Sequence, residues 1–428
     1  MIHISEIAQH DGKEVEIAGW AYNMRSSGKL GFIQLRDGSG VIQAVVSKAD
    51  VTESAWEAVQ EITIESSVKV KGLVKKDDRS ASGFELQAID FSLLQKAEEY
   101  PIGKKEHGPD FLLNNRHLWL RSQRQRAIQR IRWGITKAIY DFLEQDGCVK
   151  FDSPILTPNA CEGTTTLFEI DYFDETAYLS QSGQLYLEAG AYSMGRVFDF
   201  GPVFRAEKSK TRRHLMEFWM LDVELAFVNW EGNMDHQEAL IKFVVQSILE
   251  KYSDELKILE RDTALLEGMN KPFPRLTHAQ AVAKLKELGS DIGERDDLGG
   301  DDETILTQQY DTPIFIEKYP SEVKAFYMKR DPEDESLALC SDMLAPEGYG
   351  EVIGGAQRED NHDTLLKRIN EHNLSPETFQ WYLDLRKYGA VEMSGYGLGL
   401  ERLVSWMCGL KHVRETIPFP RMLNRLYP

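Results

Sequence analysis

The chain has 428 residues, of which 42% are hydrophobic and 28% charged, and its formal net charge is −19. This length predicts two or three globular domains, and the acidic balance excludes a nonspecific nucleic-acid binder, which needs clustered positive charge. No apolar run is long enough to span a membrane, and the N-terminal MIHISEIAQHDG lacks the basic and apolar pattern of a secretion signal. We therefore expect a cytoplasmic protein that does not associate with membranes.

The cysteines are far apart and form no CxxC pair. They are Cys148, Cys161, Cys340 and Cys408. This spacing predicts reduced thiols, with neither a disulfide framework nor a thiolate metal site.

Residues 1–98 predict a small β-barrel domain. Short alternating segments such as EVEIAGWAYNMR, LGFIQLRDGSG and SSVKVKGLVKKDD are separated by Gly, Asp and Ser turns. Five such strands with one helical interruption, ESAWEAVQEI, are typical of a closed barrel of the oligonucleotide-binding kind. Its first three strands carry Arg25, Phe32 and Gln43, a set that can stack on an unpaired base and read its edge. The alternative is a core Phe with surface polar residues.

Residues 99–123 include EEYPIGKKEHG and predict a hinge before a second domain over residues 124–428. That domain opens with an amphipathic helix, with Ile128, Ile131 and Ile135 near a period of 3.6, which stops at Asp146-Gly147. The next segment, VKFDSPILTP, predicts a strand. Pro154 cannot donate to a β-ladder, so we expect this strand at an edge and predict a dimer interface there.

The segment FRAEKSKTRRHLMEFWMLDVEL predicts two strands joined by a cationic loop. The first arm presents Arg205 and Glu207, and the second presents Phe218, Asp222 and Glu224. A fixed Arg beside an aromatic ring suits a phosphate next to a base, although a solvated hairpin tip would have the same composition.

Downstream, the residues 253–335 are acidic and suggest no chemistry of their own. Beyond them, SDMLAPEGYGEVIGGAQRED places Asp342 and Glu351 on either side of a Gly and Pro turn. Two such carboxylates facing a cationic loop suit a hard metal ion that holds phosphate oxygens, whereas two surface acids are the alternative. Finally, SGYGLGLERLVSWM predicts a Gly-rich strand that feeds a helix beginning near Glu401-Arg402, without a dinucleotide fingerprint or a Walker loop.

Three stretches in this order, the Pro154 strand, FRAE with its loop, and GLGLER, resemble the three motifs of class II aminoacyl-tRNA synthetases. With the N-terminal barrel, the chain resembles the aspartyl, asparaginyl and lysyl subgroup. Within it, RAEKSKTRRHL, LSQSGQLYLEA, APEGYGEVIGG and VRETIPFPR are similar to the asparaginyl members. The resemblance implies an α+β fold, in which a five-stranded OB-fold barrel precedes a catalytic domain with an antiparallel sheet flanked by helices, and a homodimer.

The implied activity is ATP-dependent activation of L-asparagine and transfer of the adenylate to the 3′ end of tRNA(Asn), releasing AMP and pyrophosphate. The positions that match ATP-binding residues are Arg205, Glu207, Arg213, His214, Phe218 and Arg402. Arg205 would hold the α-phosphate, Phe218 would stack on adenine, and Arg402 would hold the γ-phosphate. Arg205, Glu207 and Arg402 are expected to act in catalysis, and Asp342 and Glu351 to hold Mg²⁺.

The positions that match amino-acid-binding residues are Glu162, Ser182, Gln184, Asp222 and Arg358. In the barrel, Arg25, Phe32 and Gln43 match positions that recognise a central anticodon uridine, which the aspartate and asparagine tRNAs share. Aspartyl relatives carry a Lys where this chain has Leu187, and the missing cation disfavours a carboxylate substrate.

The chain departs from the family pattern at Thr166, Asp222 and Met393, where Glu, Glu and His are usual. One alternative is therefore a paralogue that activates aspartate, either to load tRNA loosely or to make free asparagine from ammonia. Another is a catalytically inactive RNA-binding protein. Leu187 and the complete barrel argue against the paralogue. The presence of the phosphate- and metal-binding candidates argues against the inactive protein; they are Arg205, Arg402, Asp342 and Glu351.

Overall fold

The computed structural model describes residues 1–80, 82–103, 105–161 and 166–428. Within them the chain divides into two compact units, residues 1–109 and 110–428. Among the helices of these residues, none combines the length and the apolar character that a bilayer crossing requires. All four cysteines are buried free thiols, as the sequence predicted.

The first unit is a closed barrel of five strands, which confirms the predicted fold. The elements are β1 (Glu14–Ser27), β2 (Leu30–Arg36), β3 (Val41–Ser47), α1 (Glu53–Glu61), β4 (Ser67–Lys76) and β5 (Phe84–Gln95). The strand order is β1-β2-β3-β5-β4, and β4 pairs with β1 to close the barrel. Alternate side chains such as Ile33, Leu35 and Val70 fill the interior, whereas their neighbours face outward.

The second unit is built on an eight-stranded sheet and a small three-stranded sheet. Its strands are β6 (Val149–Lys150), β7 (Leu156–Thr157), β8 (Glu169–Tyr172), β9 (Glu175–Leu179), β10 (Arg196–Phe204), β11 (Glu217–Ala226), β12 (Arg275–Thr277), β13 (Ile314–Glu317), β14 (Cys340–Ala345), β15 (Gly350–Gln357) and β16 (Met393–Gly399). The large sheet has the order β12-β13-β14-β15-β16-β11-β10-β6, and the small one has the order β7-β9-β8. The large sheet is antiparallel from β13 to β10, and its two edge strands pair in parallel.

The helices of this unit surround the sheet. They are α2 (Pro109–Asn114), α3 (Arg116–Trp119), α4 (Gln123–Gln145), α5 (Gln184–Met194), α6 (Trp230–Lys251), α7 (Ser253–Ile258), α8 (Ala264–Glu267), α9 (His278–Glu287), α10 (Gly300–Thr307), α11 (His362–Glu371), α12 (Gln380–Asp384) and α13 (Leu400–Met407). The apolar stripe of α4 packs with Val244 and Ile248 of α6 against Val223 of β11 in one core. Helices α4 and α6 therefore cover one face of the sheet, so a ligand would bind on the opposite face.

The segment around Pro154 differs from the prediction of one continuous strand. The structure has two short strands, β6 and β7, and Pro154 lies between them. Because proline has no N–H and restricts the residue before it, the pairing of β6 with β10 ends before Pro154, and β7 pairs with β9 in the small sheet.

Candidate active site

A cavity of about 320 Å³ opens on the sheet face opposite α4 and α6. Side chains alternate along β11, so Leu221 and Val223 face the helices whereas Asp222 and Glu224 face the opposite side. On the neighbouring strand β16, Gly397 pairs with Asp222 and Gly395 with Glu224. The glycines of β16 therefore make room for acidic side chains of the adjacent strand.

At one end of the cavity lies the predicted nucleotide pocket. The β10–β11 hairpin brings the Arg205 guanidinium to 5.5 Å from the centre of the Phe218 ring. The Arg205 backbone N–H donates to the Met216 carbonyl, which continues the hairpin beyond Phe204. The guanidinium thus lies over the ring, so that one site offers both a donor for a phosphate and an aromatic group for a base.

His214 and Glu207 face each other across this cationic loop, with 3.4 Å between Nε2 and Oε2. Burial, then the positive charge of Arg402, lowers the pKa of His214. The imidazole is therefore neutral near neutral pH and can donate a hydrogen bond from one nitrogen.

The predicted carboxylate pair, Asp342 on β14 and Glu351 on β15, also lines the cavity. Lys324 Nζ lies 2.9 Å from Asp342 Oδ2, and Arg402 Nη1 lies 3.1 Å from Glu351 Oε2. Between them, a Cβ built on Gly354 would meet Glu351 Oε1 at 3.0 Å and Asp342 Oδ1 at 3.5 Å. One oxygen of each carboxylate therefore borders the same small space.

Burial, then the charge of Glu351, raises the pKa of Asp342 to about 6, against the opposing effect of Lys324. Burial also raises the pKa of Glu351, but Arg402, Lys324 and Arg205 outweigh it, so that this pKa is lowered. Fixed cations thus stabilise the ionised form of Glu351, whereas burial and the charge of Glu351 disfavour the ionised form of Asp342.

At the other end of the cavity, Ser182 and Asp222 are bonded to each other. Ser182 Oγ donates to Asp222 Oδ1 at 2.9 Å, and the Gly183 N–H donates to Asp222 Oδ2 at 2.9 Å. Gln184 begins α5 and also lines the cavity. Both oxygens of Asp222 are used by this turn, because its shorter stem keeps the carboxylate close to β11.

Arg358 forms a buried ion pair with Glu224, a residue to which the sequence assigned no role. Arg358 Nε lies 3.1 Å from Glu224 Oε1, and Nη2 approaches the same oxygen. Burial raises the pKa of Glu224 to about 8, against the lowering effect of Arg358. The spacing of Asp222 and Glu224, two residues apart on one strand, was the available signal that both acids share a face.

Two of the unusual residues lie together. Leu187 and Met393 are buried in one apolar cluster with Ala191, Val197 and Ala226. Thr166, another departure from the family pattern, accepts a hydrogen bond from Gln181 Nε2 at 2.7 Å, and its carbonyl accepts one from the Ala206 N–H. Glu162 lies outside the described residues.

The segment 253–335 does supply charged groups to the cavity, which corrects the expectation that it carries no chemistry. Lys324 and Glu303 both line it. Burial, then the charge of Glu351, raises the pKa of Glu303 to about 7. No sequence motif marks Glu303 or Lys324, because their partners, Arg213 and Asp342, belong to other elements of the fold.

Arg213 differs from the other cations. Its guanidinium donates to Glu303 Oε2 at 2.8 Å, to Thr304 Oγ1 at 2.5 Å and to two backbone carbonyls. It therefore faces α10 and the turn before β15.

In the barrel, Arg25 and Phe32 pair across β1 and β2, and the Arg25 guanidinium lies 4.8 Å from the ring centre. Gln43 on β3 lies on the outward face, two residues from Val45, which pairs with Phe32. The three residues thus share one outer surface of this unit.

Among the described residues, Asp146, Cys148 and His236 form a group of potential metal ligands outside the cavity. His236 Nε2 lies 3.1 Å from Asp146 Oδ2, and Nδ1 lies 3.0 Å from the hydroxyl of Tyr396, whose side chain points to the helix layer. Arg196 also contacts Asp146 Oδ2, so we interpret this group as a hydrogen-bonded link between α4, α6 and β10.

Known proteins resemble the whole chain. A family model described as tRNA synthetases class II (D, K and N) matches residues 108–423, and one described as an OB-fold nucleic acid binding domain matches residues 15–94. Asparagine--tRNA ligase of Sorangium cellulosum is 54% identical, covering 100% of this chain and 99% of that protein. The asparagine--tRNA ligase of Desulforamulus reducens is 53% identical, covering 99% of each.

Among solved structures, asparaginyl-tRNA synthetase from Pyrococcus horikoshii complexed with asparaginyl-adenylate is 44% identical. Its TM-score is 0.96, and the match covers 98% of this chain and 97% of that chain.

Gly395→Ala should destabilise the protein far more than Gly399→Ala. A Cβ at Gly395 would lie 2.2 Å from Glu224 Oε1 and 2.4 Å from the Val223 carbonyl, whereas one at Gly399 meets nothing within 4 Å. Since the carbonyl cannot move without breaking the sheet, we expect a loss of about 2 kcal/mol or more for Gly395→Ala. Thermal unfolding followed by circular dichroism would measure both, and equal melting temperatures would contradict this prediction.

Proposed function

We propose, from the premise that the chain belongs to the class II tRNA synthetases of the D, K and N group, that it is an asparagine--tRNA ligase. It activates L-asparagine with ATP and transfers the asparaginyl group to the 3′ end of tRNA(Asn). The observation that carries this proposal is one cavity lined by Arg205 beside Phe218 at one end and by Arg358, held by the buried Glu224, at the other. The first suits a nucleotide phosphate and base, and the second suits a neutral polar side chain.

In the first step, the asparagine carboxylate attacks the α-phosphorus of ATP, and pyrophosphate leaves. No protein nucleophile is needed, because positioning and charge stabilisation lower the barrier. Arg205 would hold the α-phosphate while Phe218 stacks on adenine, and Arg402 would hold the γ-phosphate. Glu207 orients the neutral His214 within the same loop.

Asp342 and Glu351 fit a divalent cation. Each directs one carboxylate oxygen to the space beside Gly354, and oxygen is the ligand that Mg²⁺ prefers. A bound Mg²⁺ would neutralise phosphate oxygens as charge builds on them. The two residues would hold it, and before it arrives Lys324 pairs with Asp342 and Arg402 with Glu351.

The amino acid end favours an amide over a carboxylate. Arg358 can donate to the side-chain carbonyl oxygen of asparagine, and Glu224, its ion-pair partner, can accept from the NH₂ group. An aspartate carboxylate would bring a second negative charge next to Glu224. Leu187 and Met393 add no compensating cation, since both are buried in the apolar cluster. Ser182 and Gln184 would orient the α-amino group, and the match of Glu162 to the family pattern suggests that it shares that task. Asp222 would hold Ser182 in place.

The second step needs the tRNA. The outer surface of the barrel, with Arg25, Phe32 and Gln43, would recognise an unpaired anticodon base. For the homodimer, the support is the chain flanking Pro154, where Val149, Ile155 and Leu156 are each 44% exposed. Apolar side chains of this kind cluster at interfaces between subunits.

ATP–pyrophosphate exchange by the purified protein should require asparagine. Aspartate should support exchange at least about 100-fold less well, because an unpaired buried group costs several kcal/mol. The measurement compares asparagine, aspartate and the other amino acids separately. Equal exchange with aspartate would instead indicate the aspartate-activating paralogue.

Replacing both Arg205 and Arg402 by Ala should abolish asparagine-dependent exchange. The two cations flank the transferred phosphates in the proposed pocket, and loss of one such group alone typically costs about 100-fold. Gln34→Ala, on the barrel, is the matched control and should leave exchange intact. Full exchange by the double variant would contradict the site assignment.

Gln43→Ala should weaken tRNA charging by about tenfold while sparing exchange, because the barrel residue acts only on the anticodon. Charging is measured with tRNA(Asn) transcripts, and exchange without tRNA. An equal fall in both would mean that the outer surface of the barrel has another role.

A further inference from the structure

Arg213 belongs to the cationic loop, residues 205–216, and lines the cavity. Its guanidinium, however, is hydrogen-bonded to α10 and to the turn before β15. Nη1 donates to the Gly300 carbonyl at 3.1 Å and to Glu303 Oε2 at 2.8 Å. Nη2 donates to Thr304 Oγ1 at 2.5 Å and to the Gly348 carbonyl at 2.6 Å. Four acceptors therefore surround the fork, and a phosphate would have to displace them.

Glu303 joins this contact to the carboxylate that would hold Mg²⁺. Its Oε2 accepts from Arg213 and, at 3.1 Å, from the Glu351 backbone N–H. The side chain is only 13% exposed, and that of Arg213 is 12% exposed. A single buried carboxylate thus fixes both the cationic loop and the start of β15.

The chain leaves room for this contact at Gly350. Its φ is +74°, and a Cβ there would meet Glu303 Oε2 at 2.1 Å and Arg213 Nη1 at 2.6 Å. The left-handed backbone and the close approach both require glycine at this position. The Arg213–Glu303 pair therefore occupies the space that a side chain at position 350 would need.

We propose that Glu303 is a positioning residue: it fixes Arg213, which anchors the cationic loop on α10 instead of contacting ATP. The inference rests on the proposed function only for its kinetic consequence. A loop held before ATP arrives loses less conformational freedom on binding than a loose one, and Arg205 and His214 are then already in place.

Two variants separate anchoring from direct contact. Glu303→Gln keeps an acceptor for the Glu351 N–H but places an amide against Arg213, and Arg213→Met removes the fork. The control is Glu371→Gln, which disrupts a carboxylate that accepts from Arg368 and Arg330 outside the cavity. Glu303→Asp, with the same charge on a shorter stem, covers the case in which Glu303→Gln does not fold.

Limited trypsin digestion is the first measurement, and it does not depend on activity. Lys208 and Lys210 are exposed in the loop and are present in every variant. Mass spectrometry should detect cleavage after them about tenfold faster in Glu303→Gln and in Arg213→Met than in the wild type, because local opening exposes the chain to protease. The control should match the wild type, and unchanged cleavage in both variants would overturn the proposal.

The second measurement is the KM for ATP in asparagine-dependent exchange. Glu303→Gln, Arg213→Met and the double variant should each raise it by a similar factor, about tenfold, with the KM for asparagine little changed. A far larger loss in Arg213→Met than in Glu303→Gln would mean that Arg213 binds ATP directly, and would overturn the anchoring role. If the wild type shows no exchange with asparagine, the proposed function fails, whereas the proteolysis result stands by itself.

Discussion

The buried pair between Arg358 and Glu224 is the constraint on which the amino acid end of the cavity depends. Arg358 follows β15, Glu224 lies on β11, and β16 runs between these strands. The pair can form only because Gly395 on β16 has no side chain, since a Cβ there would collide with Glu224. The glycine strand is thus required by the protein's own charges before any ligand is considered.

The remaining charges of the cavity follow the same principle. Three carboxylates that line the cavity each face a fixed cation: Lys324 pairs with Asp342, Arg402 with Glu351 and Arg213 with Glu303. A buried charge without a partner costs several kcal/mol, so the folded protein must satisfy these groups in the absence of substrates. Binding of a nucleotide and a cation then exchanges partners within a polar site that is already ordered, which is the condition for electrostatic catalysis.

The departures from the family pattern acquire a physical interpretation in this setting. Leu187 and Met393 pack in one apolar cluster, where a Lys or His side chain would be a polar group among apolar ones. Both oxygens of Asp222 accept hydrogen bonds, one from Ser182 and one from Gly183. Thr166 holds Gln181 and, through its carbonyl, the start of the cationic loop.

The sequence by itself determined the barrel, the hairpin and the glycine strand, because alternation, turn residues and short motifs are local. It also indicated Arg205 beside Phe218 and the pair Asp342 and Glu351, since these residues lie in or next to single motifs. Only the tertiary structure decided that Glu303 meets Arg213, 90 residues away in the chain, and that Lys324 meets Asp342. It likewise decided that Arg213 is hydrogen-bonded to α10 and that Leu187 and Met393 pack in the same apolar cluster. Such contacts depend on strand order and on which face of the sheet each element covers, and the local sequence pattern does not encode either.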